Sequence, residues 1–553
     1  MQMKSIPLAM LACWALACGG GGSKDAGADV AGEAVEDAAA EASPEDAPDA
    51  DRADAVGEAI DASGEALDLP VAEDGSAGDV AGDAADLPPA DIEADATPDV
   101  ATDAAGDVPA DASKDWDVVA PVHQPFRAGL STHLSTWNAK SRQNEMDLDA
   151  EAGIEVLRRD FFWSDMEATP GTYNFDGYDQ MVEDAAARGM EWIGMLGYGV
   201  DWAYGTPGQD STIDMEAYGR WAGACAAHFR GKIRYWEIWN EPNLFVFWDP
   251  QPDPEAYGRM LKAAGKAIHD ACPECLVLTA GFGHLLDSGP LRPWSFVDEM
   301  WTIHPDLGDY FDVMVVHPYT VFQILPPEED NDAAGNVPHM IDTIRYLMSL
   351  HGAMKPVWIT EAGWPSAPPP PVGPETPPFV NVENDDQARY YIRGAVLAAS
   401  RGASLWTWYT TFDGGDKEGG SSENWFGFLQ HDPDTTDDVR PVPKPSYLAG
   451  KTMNFLLRGR TWEAEGFATG AGVRAHRFGA REGEAGDGAV AVVWNELQET
   501  PAAIPLKPDG WPARAPDRAV SRTGEDAAFI VDAGAIRLTA SPDPVFLVWD
   551  AVP

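Results

Sequence analysis

Between residues 122 and 459 the chain repeats one pattern, a short apolar run followed by an amphipathic stretch. The runs are "FRAGLSTHL", "IEVLRRDFFW", "EWIGMLGYG", "IRYWEIWN", "CLVLTAGFG", "DVMVVHPY", "PVWITEAGW" and "ASLWTWYT". All are of strand length. The stretches between them carry apolar residues at helical spacing, as in "EAYGRMLKAAGKAIHD" and in "YDQMVEDAAARG", which ends on a glycine suited to a helix C-terminus. Strands alternating with helices predict parallel pairing through βα units. Eight strands, seven helical intervals and "YLAGKTMNFLLRG" as an eighth helix predict an α/β fold, a (β/α)8 TIM barrel over residues 122–459. A doubly wound open sheet is the competing arrangement, but no GxGxxG follows the first strand and the count closes at eight.

The flanks read differently. After Gly459 the helical spacing stops, and "VRAHRFG", "AVAVVWNEL", "AAFIVDA", "AIRLTA" and "PVFLVWD" follow between Gly, Pro and Asp breakers. They predict a small antiparallel, β-sandwich-like domain over residues 460–553, packed on the barrel flank as a support; carbohydrate binding is the rival role. Residues 19–121 are rich in Ala, Asp, Glu, Gly and Pro, with no Phe, Tyr or Trp between Gly19 and Asp115. Such a segment buries too little apolar surface to offset its ordering entropy, so a disordered acidic linker is expected, spanning as a coil on the order of 55 Å. Its acids lack the fixed oxygen cage that calcium requires. Of the 91 acidic residues in a chain of net charge −54, 29 lie within the first 120. An acidic balance of this size excludes nucleic acid as a partner.

Lys4 precedes an apolar run from Ile6 to Ala17, a signal-peptide core too short to span a bilayer. The following "ALACGGGG" resembles a bacterial lipoprotein signal. That resemblance implies a signal over residues 1–18, an acylated Cys18, and export to the cell envelope with membrane contact through the N-terminal lipid only. Cys13 is the alternative acceptor, and plain secretion the alternative fate. In "CPEC", Cys272 and Cys275 are expected to form a local disulfide, with Cys225 as the other candidate partner. No second CxxC completes a zinc site.

Reactive chemistry concentrates at two strand ends. "RYWEIWNEPN" is the fourth strand, and Pro242 and Asn243 end it, which puts Asn240 and Glu241 on the C-terminal rim where barrels keep their reactive groups. "VWITEAGWPS" is the seventh strand. Alternation places Glu361 in phase with Val357 and Ile359, all three pointing the same way and the last reaching the rim. Glu237, deeper than Glu241, reads as a buried structural acid. Cleaving a glycosidic bond takes one carboxyl group to protonate the leaving oxygen and another to attack, or direct water to, the anomeric carbon. Two rim glutamates three strands apart supply that pair.

"WNEP" on the fourth strand with "TEAGWP" on the seventh resembles the clan A glycoside hydrolases, and "LRRDFFWSDMEATPGTYNFDGYD" resembles the second-strand segment of family 39 and its relatives, with family 5 the alternative. The resemblance implies that Glu241 is the acid/base, Glu361 the nucleophile, and Asn240 the partner of the sugar 2-hydroxyl. It implies that Arg158, rather than Arg159, holds the nucleophile ionised through a charge-assisted hydrogen bond. "HPY" resembles the His-x-Tyr of the sixth strand, which implies His317 at the sugar and Tyr319 at the nucleophile. "LWTWYTTFD" resembles the eighth strand, which implies Trp408 as the platform under the reacting sugar, with Trp406 the runner-up. Trp202, Trp248, Trp364 and Trp425 fall near strand ends as further stacking candidates. The proline-rich loop after Trp364 is a candidate cleft wall.

From these residues a retaining mechanism on a β-linked carbohydrate is expected, with Glu361 ionised first and its charge keeping Glu241 protonated. No metal and no organic cofactor is called for. A catalytically dead, sugar-binding surface lipoprotein and a transglycosylase using the same site are the other readings.

Overall fold

The computed structural model describes residues 120–551 apart from 135–138, 284–292, 321–323, 330–335, 367–380, 414–421, 431–440, 482, 484–487 and 506–513. The expected signal with Cys13 and Cys18, the expected linker up to residue 119 and most of the proline-rich loop lie outside the described residues. The eight apolar runs become eight parallel strands: Arg127–Ser131, Val156–Phe162, Glu191–Gly197, Tyr235–Ile238, a fifth in two segments (Leu276–Leu278 and Phe282–Gly283), Met314–His317, Val357–Ala362 and Ala403–Tyr409. Each pairs with the next, and the first pairs with the eighth. The interrupted fifth strand closes the ring, since its first segment pairs with the fourth strand, Leu278 bridges to Val313, and its second segment pairs with the sixth. The barrel is therefore closed, as the alternation predicts.

Helices return the chain between strands, and their starts are written in short polar side chains. Asp214 accepts from the amides of Glu216 and Ala217 to cap Met215–His228, Asp253 caps Pro254–Ala271, and Asn336 caps Val337–Leu350. A proline opens the helix behind Asp253, where its missing N–H costs nothing. Cys272 and Cys275 form the expected disulfide just past that helix, and Cys225 is buried and free. No helix among the described residues is long and apolar enough to cross a membrane.

Alternation sorts the strand residues onto two faces. Val156, Ile193, Tyr235, Leu278, Val313, Val315, Trp358 and Leu405 meet in one cluster that fills the interior. The first strand contributes Gly129 at that level, where a Cβ would stand 2.5 Å from the Thr407 hydroxyl oxygen. The opposite face, with Leu157, Trp192, Trp236, Val277, Val316, Val357, Ile359, Trp406 and Trp408, packs in the core beneath the helices. This corrects the expected phase of the seventh strand: Val357 and Ile359 point outward, and Trp358 points in.

The C-terminal region forms two antiparallel sheets. Arg460–Glu465, Val473–Arg481, Ala489–Asn495, Val545–Trp549 and Arg518–Ser521 lie in that order in one, and Thr500–Pro505, Ala535–Ala540 and Ile530–Asp532 in the other. Ala491, Val493 and Leu547 of the first sheet pack with Ile504, Ile536 and Leu538 of the second. Phe478, Val490, Val492, Trp494 and Phe546 turn the other way into the barrel's own core. The middle layer is thus buried on both faces, which is why "AVAVVWN" reads as a continuous apolar run. A dry tie joins the parts: Glu328 accepts from Arg393 at 2.6 Å through both oxygens and from the Trp494 indole at 2.9 Å.

Candidate active site

The fourth strand ends at Ile238, and the chain then turns sharply to present two successive polar residues to the barrel mouth. Trp239 at φ 69° and Glu241 at φ 42° are left-handed. For bulky L residues that conformation costs on the order of 1–3 kcal/mol each and persists only where surroundings impose it. Here the Trp239 indole donates to the Phe247 carbonyl at 2.8 Å, and the Glu241 amide donates to the Gly281 carbonyl at 3.1 Å. Space is the other constraint, because a Cβ on Gly283 would lie 2.5 Å from Glu241 Oε1 and one on Gly281 would lie 1.9 Å from His317 Nε2.

The seventh strand delivers its glutamate by a different device. Its pairing with the eighth slips between Ile359 opposite Trp406 and Ala362 opposite Trp408, three residues against two. The extra residue lets both Thr360 and Glu361 face inward, although strict alternation would have sent Glu361 outward.

Arg158 joins the two strand ends. Its Nε and Nη2 donate to the two oxygens of Glu237 at 2.9 and 2.8 Å, Nη2 also to Asn240 Oδ1 at 2.9 Å, and Nη1 to Glu361 Oε1. Glu237 is fully buried, the structural acid expected. Because a guanidinium only donates, the Asn240 atom it meets must be the amide oxygen, which leaves the Nδ2 protons for the cleft. Tyr319 donates to Glu361 Oε2 at 3.0 Å. Arg159 lies elsewhere, over the Tyr178 ring. Burial pushes the Glu361 carboxyl up to about 6 against the pull of Arg158 and of the Tyr319 hydrogen bond, with the Glu237 and Asp160 charges adding upward pushes. Burial opposes the charge on Arg158, but Glu237 and Glu361 offset it and hold the guanidinium protonated.

His317 sits behind Glu241, fully buried, with Nδ1 2.8 Å from Glu241 Oε1 and Nε2 2.9 Å from the Thr360 hydroxyl. Burial, helped by the Arg158 charge, holds its pKa well below the usual value, so the ring is neutral. His317, expected at a bound sugar, does not line the cleft and instead touches Glu241 from behind. One oxygen each of Glu241 and Glu361 and one nitrogen of His317 lie within 4.8 Å of one another. In kind this donor set suits a divalent cation, but the groups are already engaged with one another, Thr360, Arg158 and Tyr319.

The tryptophan assignments are corrected by the same alternation. Trp408 and Trp406 point away from the mouth. Trp408 stacks on Phe428 at 5.4 Å and donates to the Phe426 carbonyl, while Trp406 lies against the helix at Gly394. Trp364 is fully buried with its indole donating to Thr320 and Leu325, and Trp248 is buried beside Ser211. Trp202 is half-buried, packed edge-on against Trp163 and bonded to the Glu167 carbonyl. None of these, nor Trp425, lines the cleft. Its aromatic walls are Tyr319, Tyr409, Tyr198 and Phe247, the last two stacked at 6.4 Å, and its polar walls include Ser131, Thr132, His133 and Asp160. Counting inward positions from Leu405 leads to Tyr409, and counting from Arg158 leads to Asp160. Tyr198 and Phe247 lie on loops, where no periodicity points to them.

No family model matches the chain. Solved structures are similar to it at low identity. A family 39 glycoside hydrolase from the gut symbiont Bacteroides cellulosilyticus is 20% identical with a TM-score of 0.57, over 77% of this chain and 81% of that one. A family 30 endoxylanase from Clostridium papyrosolvens is 14% identical with a TM-score of 0.53, over 78% and 98%. A monomeric β-xylosidase from Caulobacter crescentus is 15% identical with a TM-score of 0.51, over 79% and 98%. At such identities the likeness shows a shared fold, the closed barrel on which the site above is built.

Proposed function

We propose that the protein is a retaining glycoside hydrolase that cleaves β-glycosidic bonds of an oligo- or polysaccharide by double displacement. One observation carries this reading: oxygens of Glu241 and Glu361 approach within 4.8 Å, in unequal surroundings. Inverting pairs stand roughly 6.5–9.5 Å apart to admit a water, whereas a shorter gap suits direct attack by one carboxylate. Glu361, beside Arg158 and Tyr319, is the nucleophile. Neutral His317 donates from Nδ1 to Glu241 Oε1 and accepts from Thr360 at Nε2, which leaves the other Glu241 oxygen to carry a proton toward the leaving group. As the bond to the leaving oxygen breaks, Glu241 protonates that oxygen and Glu361 bonds to the anomeric carbon. With the Glu361 charge consumed, Glu241 then takes a proton from water, which displaces Glu361 with net retention. The fold shared with a β-xylosidase and an endoxylanase supports this reaction class.

The experiment compares Glu241→Ala and Glu361→Ala on aryl glycosides with good and poor leaving groups. Glu241→Ala is expected to keep the first step with the activated leaving group, which needs little protonation, and Glu361→Ala to lose it with both. Equal loss of that step in the two variants contradicts the roles. A product transferred to an added sugar acceptor in preference to water would make the same residues a transglycosylase.

We also propose that Cys18 is acylated and tethers the enzyme to the envelope through the acidic linker, on the support of the apolar run and the "ALACGGGG" segment. In a bacterial host the full-length protein is expected in the membrane fraction, and Cys18→Ser in the soluble fraction. Unchanged partitioning of that variant contradicts the assignment.

A further inference from the structure

The charge of the cleft is lopsided in a way the reaction does not require. Among the described residues its lining holds three carboxyl groups, Glu241, Glu361 and Asp160, of which the reaction keeps Glu241 protonated, and a single arginine. That arginine is spent, because Arg158 has Glu237, Glu361 and Asn240 on its nitrogens. Asp160 is the acid left over. It lies two residues beyond Arg158 on the second strand, on the same inward face and nearer the rim, and it is half-buried. Arg159 meets only its backbone carbonyl, and no hydrogen bond reaches its carboxylate among the described residues. Its charge is nonetheless felt in the site, since it pushes Glu361 upward. Its charge also favours the protonated forms of Arg158 and of His133 across the cleft, but a half-buried carboxylate that no hydrogen bond satisfies among the described residues offers two strong acceptor atoms to whatever enters.

We infer that Asp160 is the specificity-determining residue of the cleft, accepting hydrogen bonds from the hydroxyls of an uncharged sugar and excluding sugars that carry a carboxylate or sulfate. Two physical terms act together. A neutral sugar places hydroxyl donors on an acceptor that is otherwise unsatisfied in a partly dry site, where such a bond counts for more than in water. Among the described residues an anionic sugar meets Asp160 and Glu361 at short range with no lysine or further arginine in the lining to neutralise it. The inference rests on the glycosidase reading for its catalytic arm and stands without it in its binding arm.

The test uses pairs of aryl β-glycosides that differ only in a carboxylate at C6, gluco against glucurono and galacto against galacturono, with the xyloside as a further neutral probe. Turnover is followed on wild type, and calorimetric binding on Glu241→Gln. The expected kcat/KM of the best neutral glycoside exceeds that of its uronide by at least 100-fold. Asp160→Asn is expected to raise KM for the neutral sugar about tenfold with a smaller change in kcat, and to narrow the discrimination below tenfold. Asp160→Glu is expected to keep the exclusion. Removing the Asp160 charge is further expected to move the acid limb of kcat/KM to lower pH, because that charge holds Glu361 up. Selective binding of neutral sugars without turnover keeps the inference and sinks the glycosidase reading. Turnover of uronides as fast as neutral sugars keeps the reading and overturns the inference. An unchanged discrimination ratio in Asp160→Asn, or binding of neither kind of sugar, overturns it as well.

Discussion

An arginine stands inside each end of the barrel. At the bottom, Arg127 reaches the Tyr235 hydroxyl at 3.1 Å and the Glu191 carboxylate, with side chains 24% and 48% exposed in the ion pair. At the mouth, Arg158 is 2% exposed and its partners Glu237 and Glu361 are 0% and 12% exposed. The pairing is chemically the same, but water decides what it does. Solvent screens the lower pair, which holds the first strand beside the third and fourth at little gain. The upper group has lost most of its water, so its charges and that of Asp160 act on one another with little screening, and the arginine fixes the orientation of Asn240 and favours the ionised form of Glu361 together. A buried ion pair is weak evidence for stability and better evidence that the geometry is needed.

Breaking the upper pair therefore has the largest expected effect. Arg158→Met leaves Glu237 buried without its counter-ion, and denaturant titration is expected to show a loss of about 3–5 kcal/mol. Activity should fall beyond what residual folding explains, because Glu361 then holds a proton that it must lose to attack. A stability change below about 1 kcal/mol would place the pair in the screened class with Arg127.

Next comes a change that removes no ionisable group and moves one of them. Gly283→Ala puts a methyl group 2.5 Å from Glu241 Oε1 and 2.9 Å from the Leu244 side chain, on a backbone that has no positive φ to forbid it. The displaced acid is expected to cost on the order of 10- to 100-fold in kcat with a much smaller effect on KM, measured on a substrate that needs protonation. Unchanged kcat would show that the position of Glu241 is not held by this contact.

A buried carboxylate pair sharpens the comparison, because no arginine or lysine bridges it among the described residues. Glu145 accepts from the Thr132 hydroxyl at 2.5 Å one turn before Asp149, and both are buried. Burial pushes Glu145 up to about 7, and burial together with the Glu145 charge pushes Asp149 well above its ordinary value. Both folded values are raised, so their stabilisation is complete at acid pH and is lost as pH rises through about 7. Thermal unfolding is expected to show a lower Tm at pH 8.5 than at pH 5.5 by a few °C, roughly the size of a 1–2 kcal/mol effect in a large domain, and Glu145→Gln is expected to flatten that slope. A steeper slope in the variant contradicts the account of this pair.

Arg127→Met should do least, about 1 kcal/mol or less by the same denaturant titration, with kcat/KM unchanged. A large catalytic loss would mean that the two ends of the barrel are mechanically linked, which the comparison denies.

What was legible in the sequence follows from which features are local. The strand count, the "CPEC" disulfide and the rim position of Asn240 and Glu241 are all set within a few residues, and each reads from the chain. Glu361 reached the rim as expected but for a different reason, since its phase depends on a slip against the eighth strand that one strand cannot reveal. The tryptophans misled because size and a rim address say nothing about which face a side chain takes. One residue separates buried Trp408 from cleft-lining Tyr409. The C-terminal strands Arg460–Glu465, Thr500–Pro505 and Arg518–Ser521 escaped notice because their alternation is weak, with proline inside or next to the second.

The central claim is that Glu361 becomes covalently bonded to the sugar while Glu241 does not. A 2-deoxy-2-fluoro aryl β-glycoside of a sugar the enzyme accepts forms the glycosyl-enzyme and slows its breakdown, because the fluorine withdraws electrons from the oxocarbenium-like transition state of both steps. Mass spectrometry of the peptides after inactivation is predicted to show one added sugar on the peptide carrying "WITEAGW", located at Glu361. A label on Glu241, or hydrolysis of ordinary substrates to the inverted anomer with no label anywhere, would contradict the account.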